Sequence, residues 1–393
     1  MSTADTVKIS AQCLCKAHTF TASVPRTELP LRAWCCHCDS CCHVTGALYA
    51  CVTPWPGSTE EVRNSTMRKY SFTPKYTILS CGTCSTSIFF HGQAEGEEDT
   101  LTVLTGALDN NPAPNFIKIV DHIFVGDTID GGASMWLRRP NGVGSVARRW
   151  RAARGKSEEL DHDWPSADNF PHAQDKSGPD EIPLRCHCKG VDLVLRRGRA
   201  DFVAMKREEL PWFVEPTTHK LLTSFDACNS CRSTLGVDIT NWSFALLQHI
   251  GFPTDSASGQ PSFPRIATEL KDAVSSQERD PRLGTLAMYK SSADVQRYFC
   301  SRCSASVFYA VDDRHDFVDV ATGLLDSPSG ARAENFLTWT FGSNINASDD
   351  VAGGWRENLV KSVKNEAEAW RIERGYPKNW LRVAKEEAEN RSS

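Results

Sequence analysis

Short apolar runs, alternating or continuous, dominate most of the chain and predict β-strands. They are rich in β-branched and aromatic residues and are bounded by Gly, Pro and Asp, as strands usually are. Examples are TILSC, SIFFHG and DTLTVLTG in the first part of the chain, and YFC, SVFYAV and DFVDVATG further on. The pattern therefore predicts a mostly β protein.

The end of the chain has a different pattern, in which apolar residues recur at helical spacing. The segment from residue 355, WRENLVKSVKNEAEAWRIERGYPKNWLRVAKEEAENRSS, contains a Gly-Tyr-Pro break and an apolar stripe. The stripe consists of Leu359, Val363 and Trp370. We expect a C-terminal helical extension over residues 350–393 that packs on the body of the protein, with a partner-binding helix as the alternative.

Four sequence blocks occur twice, in the same order. C-L-C-K-A-H-T-F-T matches C-H-C-K-G-V-D-L-V, and C-D-S-C-C-H-V-T-G matches C-N-S-C-R-S-T-L-G. C-G-T-C-S-T-S-I-F-F matches C-S-R-C-S-A-S-V-F-Y, and L-T-G-A-L-D matches A-T-G-L-L-D. Self-similarity of this kind indicates an internal duplication. We call residues 8–137 copy one and residues 182–345 copy two.

Two further segments lie outside the matched blocks. Residues 138–181 begin with helix-compatible basic residues and then become rich in Pro, Asp and Ser, which predicts a linker with a short helix. An insertion at about 250–284 interrupts copy two. It is rich in Pro and Ser at its start and is compatible with a helix at 265–277.

The chemical environment of the cysteines decides how they are interpreted. The chain has 393 residues and 16 cysteines, and it shows neither a secretory signal nor an apolar run that could span a bilayer. We therefore expect a cytoplasmic protein whose thiols stay reduced. There, paired C-x-C and C-x-x-C thiols favour zinc sites over disulfides. A net charge of −5 argues against nucleic acid and membranes as partners.

The outer cysteine pairs of each copy supply four thiolates. In copy one they are Cys13, Cys15, Cys81 and Cys84. In copy two they are Cys186, Cys188, Cys300 and Cys303. A zinc site with four cysteine ligands has no vacant position and contributes folding energy rather than catalysis. We therefore expect two structural zinc ions, each joining the first hairpin of a copy to a later one.

The central cysteines differ between the copies. Cys36, Cys38 and Cys41 offer three sulfurs, which leaves a position on zinc for water or substrate, as in catalytic sites. The alternative is a closed site completed by Cys35, Cys42, His37 or His43. In copy two the set is Asp226, Cys228 and Cys231. A carboxylate is a harder ligand and holds such a site less tightly, so we expect one or two zinc ions in the central clusters.

These motifs together resemble a known family. C-x-C-x-G, C-H-C-x-x-C followed by a glycine, Y-x-S-S-x-x-x-x-R-x-F-C-x-x-C and G-x-L-D are similar to the glutathione-dependent formaldehyde-activating enzyme/centromere protein V family. The resemblance implies a β fold shared with a small Rab-binding chaperone and methionine sulfoxide reductase B. It also implies a structural zinc on the outer cysteines, and a second zinc on the central triad that engages glutathione or its adduct. The class of activity it implies is carbon–sulfur lyase.

The two copies depart from the family pattern in complementary ways. Copy one keeps the cysteine triad and, in D-H-I-F, a candidate catalytic histidine, His122, but has Ile78 in place of the family's arginine. Copy two has Asp226 in its triad and lacks the histidine. It keeps the candidate substrate-binding residues Tyr289, Ser291, Ser292 and Arg297. An arginine suits a peptide carboxylate. A structural salt bridge for Arg297 and a structural role for His122 remain alternatives.

The sequence therefore predicts a zinc-dependent, carbon–sulfur lyase-like enzyme. Its substrate would be an adduct of glutathione or another thiol with a carbonyl compound or small metabolite. The alternative is a non-catalytic zinc scaffold or interaction module. A nucleic-acid-binding zinc protein is disfavoured, because the one basic cluster, R-R-W-R-A-A-R, is short. The tandem copies predict either a monomer that imitates a dimer or a homodimer.

Overall fold

The computed structural model describes residues 5–93, 99–111, 113, 115–142, 144–161, 163–165, 177–253 and 262–392. In chain order the strands are β1 (Thr6–Gln12), β2 (Thr19–Pro25), β3 (Leu31–Cys36), β4 (Ala50–Pro54), β5 (Arg68–Ser71), β6 (Tyr76–Ser80), β7 (Ser87–Gly92), β8 (Thr100–Leu104), β9 (Ile117–Ile123), β10 (Arg148–Arg149), β11 (Glu181–Arg185), β12 (Asp192–Arg196), β13 (Leu221–Ala227), β14 (Thr240–Leu246), β15 (Ile250–Gly251), β16 (Leu286–Lys290), β17 (Val295–Cys300), β18 (Ser306–Val311), β19 (Phe317–Ala321), β20 (Leu337–Trp339) and β21 (Asn346–Ala347). The α-helices are α1 (Asp39–Thr45), α2 (Thr59–Arg63), α3 (Arg199–Val203), α4 (Asn229–Leu235), α5 (Ala267–Ser275), α6 (Trp355–Glu373) and α7 (Trp380–Ser392). The mostly β prediction is confirmed.

The two large sheets share one topology. The strand order is β10-β9-β3-β4-β8-β7-β6-β5 in the first sheet and β20-β13-β14-β19-β18-β17-β16 in the second, where β21 also pairs with β13. Without β10 and β21 the orders correspond strand for strand. The parallel pair β3 and β9 has its equivalent in β13 and β20. A hairpin accompanies each large sheet, β1–β2 in copy one and β11–β12 in copy two.

The two copies contact each other through matched glycine turns. The turn at Gly106 packs on α4, and the turn at Gly323 packs on α1. Gly106 donates its N–H to the carbonyl of Gly236 (3.1 Å), and Gly323 donates to Gly46 (2.9 Å). A Cβ at Gly106 would lie 2.3 Å from the nitrogen of Val237. Only glycine permits this approach, which places the central cysteine helix of each copy against the other copy.

The C-terminal extension forms two helices, α6 and α7, separated at the predicted Gly-Tyr-Pro break. Leu359, Val363 and Trp370 are each at most 2% exposed, so the apolar stripe packs on the body of the protein as predicted. At the start of α6, the buried Arg356 pairs with Asp238 of copy two at 2.8 Å. Its guanidinium also donates to backbone carbonyls of copy one. Helix α6 therefore connects the two copies.

The short helix expected in the linker 138–181 is not found among the residues described there. Instead, Arg148–Arg149 forms strand β10, which pairs in parallel with β9. The buried Asp121 on β9 accounts for this, because Arg148 and Arg154 lie 3.0 and 3.2 Å from its carboxylate and Trp150 donates to it at 2.9 Å. These basic side chains are held by a tertiary ion pair rather than by helical neighbours. Residues 166–176 of the linker lie outside the described residues.

The insertion in copy two contains the expected helix, α5. It buries Ala267, Leu270 and Val274 on one face. Residues 254–261 of the insertion lie outside the described residues. Among the described helices, none has the length and apolar character needed to cross a membrane.

Candidate metal centres and the adjoining pocket

The outer cysteines of each copy form a compact group of four thiols. In each group all four sulfur atoms lie within 4.8 Å of one another. The Sγ atoms of Cys13 and Cys15 are 3.5 Å apart, and those of Cys186 and Cys188 are 3.6 Å apart. Zinc–sulfur bonds of about 2.3 Å in a tetrahedron give sulfur separations of about 3.8 Å. Both groups therefore fit a closed zinc site with four cysteine ligands.

Residues with left-handed backbone conformation shape the turns that carry these thiols. The C-x-C turns contain Lys16 (φ 63°) and Lys189 (φ 54°), and the C-x-x-C turns contain Ser85 (φ 59°) and Ser304 (φ 65°). The chain thereby directs backbone N–H groups at sulfur. Val191, for example, donates to the first thiol of its turn at 3.2 Å. Such bonds favour thiolate, the form that binds metal.

Three cysteines lie together at the start of α1 and form the first central cluster. Cys36 ends β3, Cys38 caps α1, and Cys41 lies in the first turn of the helix. The three sulfurs lie within 4.8 Å of one another, and those of Cys36 and Cys38 are 3.5 Å apart. Hydrogen bonds from the Cys36 and Cys41 thiols lower the pKa of the Cys38 thiol, and the pKa of Cys41 is raised in turn. Negative charge therefore concentrates at Cys38, where a metal cation would stabilise it.

The neighbouring side chains that offer a fourth ligand all have other contacts. The Cys35 thiol is fully buried and faces Cys51 across β3 and β4. The Cys42 thiol points at the carbonyl oxygen of His37, at 3.9 Å. His43 contacts copy two instead of the cluster. Within the described part of the chain the cluster thus consists of three protein ligands, which favours an open metal site over a closed one.

His122 is not positioned to contact a substrate. It is fully buried on β9, its Nδ1 lies 2.9 Å from His37 Nε2, and its Nε2 lies 2.9 Å from the carbonyl oxygen of Leu137. Burial lowers the pKa of His122 to about 4, so the ring is neutral at pH 7. The prediction that His122 is a catalytic group therefore needs correction. It reaches the cluster only through His37, which lies between two of the cysteines, and is a positioning residue.

The second central cluster suits a metal less well than the first. One oxygen of Asp226 lies within 4.8 Å of the sulfurs of Cys228 and Cys231. However, its carboxylate accepts hydrogen bonds from the N–H of Cys228 (2.8 Å) and the amide of Asn346 (2.7 Å). The guanidinium of Arg297 lies 3.8 Å from Cys231 Sγ. A fixed positive charge at this distance opposes a cation on the same sulfur.

The candidate substrate-binding residues of copy two are largely engaged by other groups of the protein. Arg297 is 4% exposed and donates to Ser230 Oγ (2.6 Å) and Ser291 Oγ (3.2 Å). Ser292 lies in an exposed turn and donates to a neighbouring carboxylate at 2.8 Å. Tyr289 is half-buried. Burial raises the pKa of its hydroxyl, and the outer thiols of copy one raise it further. The structure thus favours a structural role for Arg297 over a contact with a substrate carboxylate.

A cavity of about 280 Å³ adjoins the first central cluster and is lined by both copies. Copy one contributes Asp39, His43 and Asp127, and copy two contributes Asp326. His43 Nε2 lies 3.0 Å from the Asp326 carboxylate, and its Nδ1 lies 2.6 Å from the carbonyl of Arg185. Burial is the largest influence on the pKa of His43 and lowers it, but the hydrogen bonds to Asp326 and to the carbonyl of Arg185, together with the nearby carboxylates, raise this pKa overall. The pocket beside the triad exists only because the copies pack together.

Sequence reasoning missed three groups: Asp127 near the first central cluster, and Tyr70 and His187, which contact each other across the two copies. Asp127 lines the cavity, and partial burial, the Cys38 thiolate and Asp39 together raise the pKa of its carboxyl to about 6. The Tyr70 hydroxyl lies 2.7 Å from Nδ1 of His187 in copy two. Tyr70 occupies the strand position of the candidate Tyr289, a signal that could have found it. No sequence signal marks Asp127, which follows the last matched block.

Comparison with known proteins agrees with the chemistry of these thiols. Residues 8–127 match the model of the family described as glutathione-dependent formaldehyde-activating enzyme. No curated protein and no solved structure matches the chain. Copy one therefore contains a domain of this family, and the match lies within residues 8–127.

Proposed function

We propose that this protein is a zinc-dependent, carbon–sulfur lyase-like enzyme that acts on an adduct of a thiol with a carbonyl compound. The observation that carries the proposal is the first central cluster, where three cysteines have no fourth ligand among the described residues and lie near a cavity of about 280 Å³ that is lined by Asp39, Cys42 and Asp127. The matched family suggests glutathione as the thiol. The working site would be the first central cluster, in copy one. The protein would consist of two domains, residues 8–137 and 182–345, each held together by a structural zinc. It would be cytoplasmic, and either a monomer that imitates a dimer or a homodimer.

The reaction needs a thiolate and an electrophilic carbonyl carbon held side by side. In the forward direction the sulfur lone pair forms a carbon–sulfur bond, the carbonyl π electrons move to oxygen, and the oxygen takes a proton from water. In reverse the adduct hydroxyl loses that proton, the carbonyl re-forms, and the thiolate leaves. Zinc on Cys36, Cys38 and Cys41 would lower the pKa of an incoming thiol and polarise the carbonyl.

The residues around the cluster fix its geometry. The His37–His122 pair anchors the segment between Cys36 and Cys38 to β9. His43 is bonded on both ring nitrogens to groups of copy two and keeps α1 docked against it. Such supporting contacts hold a metal site and its reactants in a productive arrangement.

A pair of matched variants tests the proposal. Cys38→Ser removes a ligand of the first central cluster, and Cys228→Ser removes the equivalent thiol of the second. Zinc content is measured by elemental analysis, and the rate of adduct formation and breakdown by NMR exchange with formaldehyde and a thiol. We expect Cys38→Ser to lose about one zinc ion and about 100-fold in rate while staying folded. Cys228→Ser should keep both the zinc and the rate. Full activity in Cys38→Ser would overturn the assignment.

The second candidate function, a non-catalytic zinc scaffold, is favoured by one feature of copy two. There Arg297 lies beside the Cys231 thiol, and Asn346 donates a hydrogen bond to the Asp226 carboxylate. Two of the three candidate metal ligands therefore already contact other protein groups. A wild-type protein that holds all its zinc tightly, shows no exchange of any thiol adduct and does not respond to added thiol would support the scaffold over the enzyme.

A further inference from the structure

The charged side chains that line the cavity beside the first central cluster are mostly acidic. Among the described residues that line it are three carboxylates, Asp39, Asp127 and Asp326, and neither lysine nor arginine. Asp326 is compensated by His43 at 3.0 Å and by Arg185 at 3.8 Å. Asp39 and Asp127 are exposed, and neither carboxylate has a side-chain hydrogen bond or ion pair with the described part of the chain, although the charge of His43 acts on Asp39. Asp127 therefore presents a negative charge without a basic partner near Cys38.

In copy two, an arginine pairs with the carboxylate that occupies the position of Asp127. Ile123 pairs with Cys36 in parallel strands, and Asn346 pairs with Asp226 in the equivalent strands. Four residues further on, Asp127 in copy one corresponds to Asp350 in copy two. Asp350 forms an ion pair of 2.5 Å with the buried Arg232 on α4.

In copy one the helix position of Arg232 is occupied by Cys42, which carries no positive charge. A second arginine is also missing there. Ile78 faces Tyr70 across β5 and β6, where Arg297 faces Tyr289 in copy two. Copy one thus lacks both guanidinium groups that copy two places around its cluster. The free carboxylate of Asp127 is the consequence.

We propose that Asp127 makes the copy-one pocket selective for thiols that carry a positively charged group, such as an amine, over thiols that carry carboxylates. This inference rests on the proposed function, because it assigns the thiol that enters the open site. A carboxylate beside a cluster of three thiolates repels an anionic ligand and attracts an ammonium group. Glutathione, with two carboxylates and one ammonium group, is then a poorer ligand than a small aminothiol.

The test uses three thiols that share a two-carbon spacer and differ in the charge of the end group. They are cysteamine (cationic), 2-mercaptoethanol (neutral) and 3-mercaptopropionate (anionic). Binding is measured on the full-length cobalt-substituted protein, whose visible absorption changes when a thiol becomes a ligand. We expect cysteamine to bind about 3- to 10-fold more tightly than 2-mercaptoethanol, and 3-mercaptopropionate to bind more weakly by a similar factor.

Two variants separate Asp127 from the rest of the pocket. Asp127→Asn should bring cysteamine to the affinity of 2-mercaptoethanol and leave the neutral thiol unchanged. Asp350→Asn, the matched change in copy two, should keep the wild-type order. Equal affinities for all three thiols in the wild type would overturn the selectivity but leave the proposed function standing. A cysteamine preference that survives in Asp127→Asn would overturn the role of Asp127. Failure of every thiol to bind would overturn the proposed function itself.

Discussion

The two central clusters occupy the same place in the same topology, yet their surroundings have opposite character. In copy one, three thiols lie near a cavity in which the Asp127 carboxylate has no ion pair with the described residues. In copy two, the guanidinium of Arg297 lies 3.8 Å from Cys231 Sγ, and Arg232 pairs with Asp350. A few side-chain replacements therefore separate three thiols that could hold a metal from a cluster whose groups are already paired with other protein side chains. The same fold thus places different chemistry at the same position.

The two outer clusters, in contrast, have the same ligands in both copies. Both copies keep four thiols at equivalent strand ends, with the same left-handed turn residues and similar sulfur separations. A structural role demands the whole ligand set in each copy, because a closed metal site loses its folding energy when a ligand is missing. If the proposed reaction uses only one of the two central clusters, the other is free to change.

The largest expected effect tests whether the two outer clusters have the same structural role. Cys13→Ser and Cys186→Ser each remove one ligand of a closed site and should each lower the free energy of unfolding by at least about 4 kcal/mol, with loss of about one zinc ion. Cys42→Ala, a buried thiol outside the clusters, should cost about 1 kcal/mol and no zinc. Thermal unfolding and elemental analysis provide the comparison. If Cys13→Ser melts like Cys42→Ala, the outer group is not a structural metal site.

The second prediction concerns a variant that gives the central cluster of copy two two residues of copy one. Asp226→Cys with Arg297→Ile installs the residues found at the equivalent positions, Cys36 and Ile78. We expect the zinc affinity of this cluster to rise by about 100-fold, because a third thiolate is gained and the opposing guanidinium is lost. Competition with a chromophoric chelator measures it. Asp226→Asn is the control, since it keeps an oxygen that can accept from the N–H of Cys228 and adds no thiol. No gain in the double variant would mean that other groups disable the site.

The smallest effect concerns acid stability, which should differ between the copies. Burial holds the pKa of His122 at about 4, below its ordinary 6.5, so the unfolded chain binds more protons between these values. The stabilisation is complete above about pH 6.5 and is lost as the pH falls toward 4, by about 2 to 3 kcal/mol. The residue of copy two in the equivalent strand register is Ile345.

The matched variant is His37→Ala with His122→Ile, which installs Ala227 and Ile345 of copy two. Urea unfolding at pH 7 and pH 5 should show a smaller loss of stability on acidification in this variant than in the wild type. The same loss in both proteins would show that the buried pair does not cause the acid sensitivity.

Much of the architecture follows from local sequence patterns. The C-x-C and C-x-x-C spacings place two thiols in one turn, and the matched blocks make the two sheets alike. The apolar stripe with Leu359 and Trp370 correctly predicts a packed C-terminal helix. The predicted linker helix is not found among the described residues, because the buried Asp121 on β9 holds Arg148 and Arg154 in a strand and a turn.

By itself, the sequence determined the duplicated β fold and the four thiol clusters, because both depend on spacing within short segments. Only the tertiary structure decided which candidates are available for chemistry. His122 is buried against His37, and Arg297 is used by its neighbours. The pocket with Asp127 arises where α1 meets the other copy. These outcomes depend on which side chains long-range packing brings together and which charges it leaves uncompensated, and neither is encoded in residue spacing.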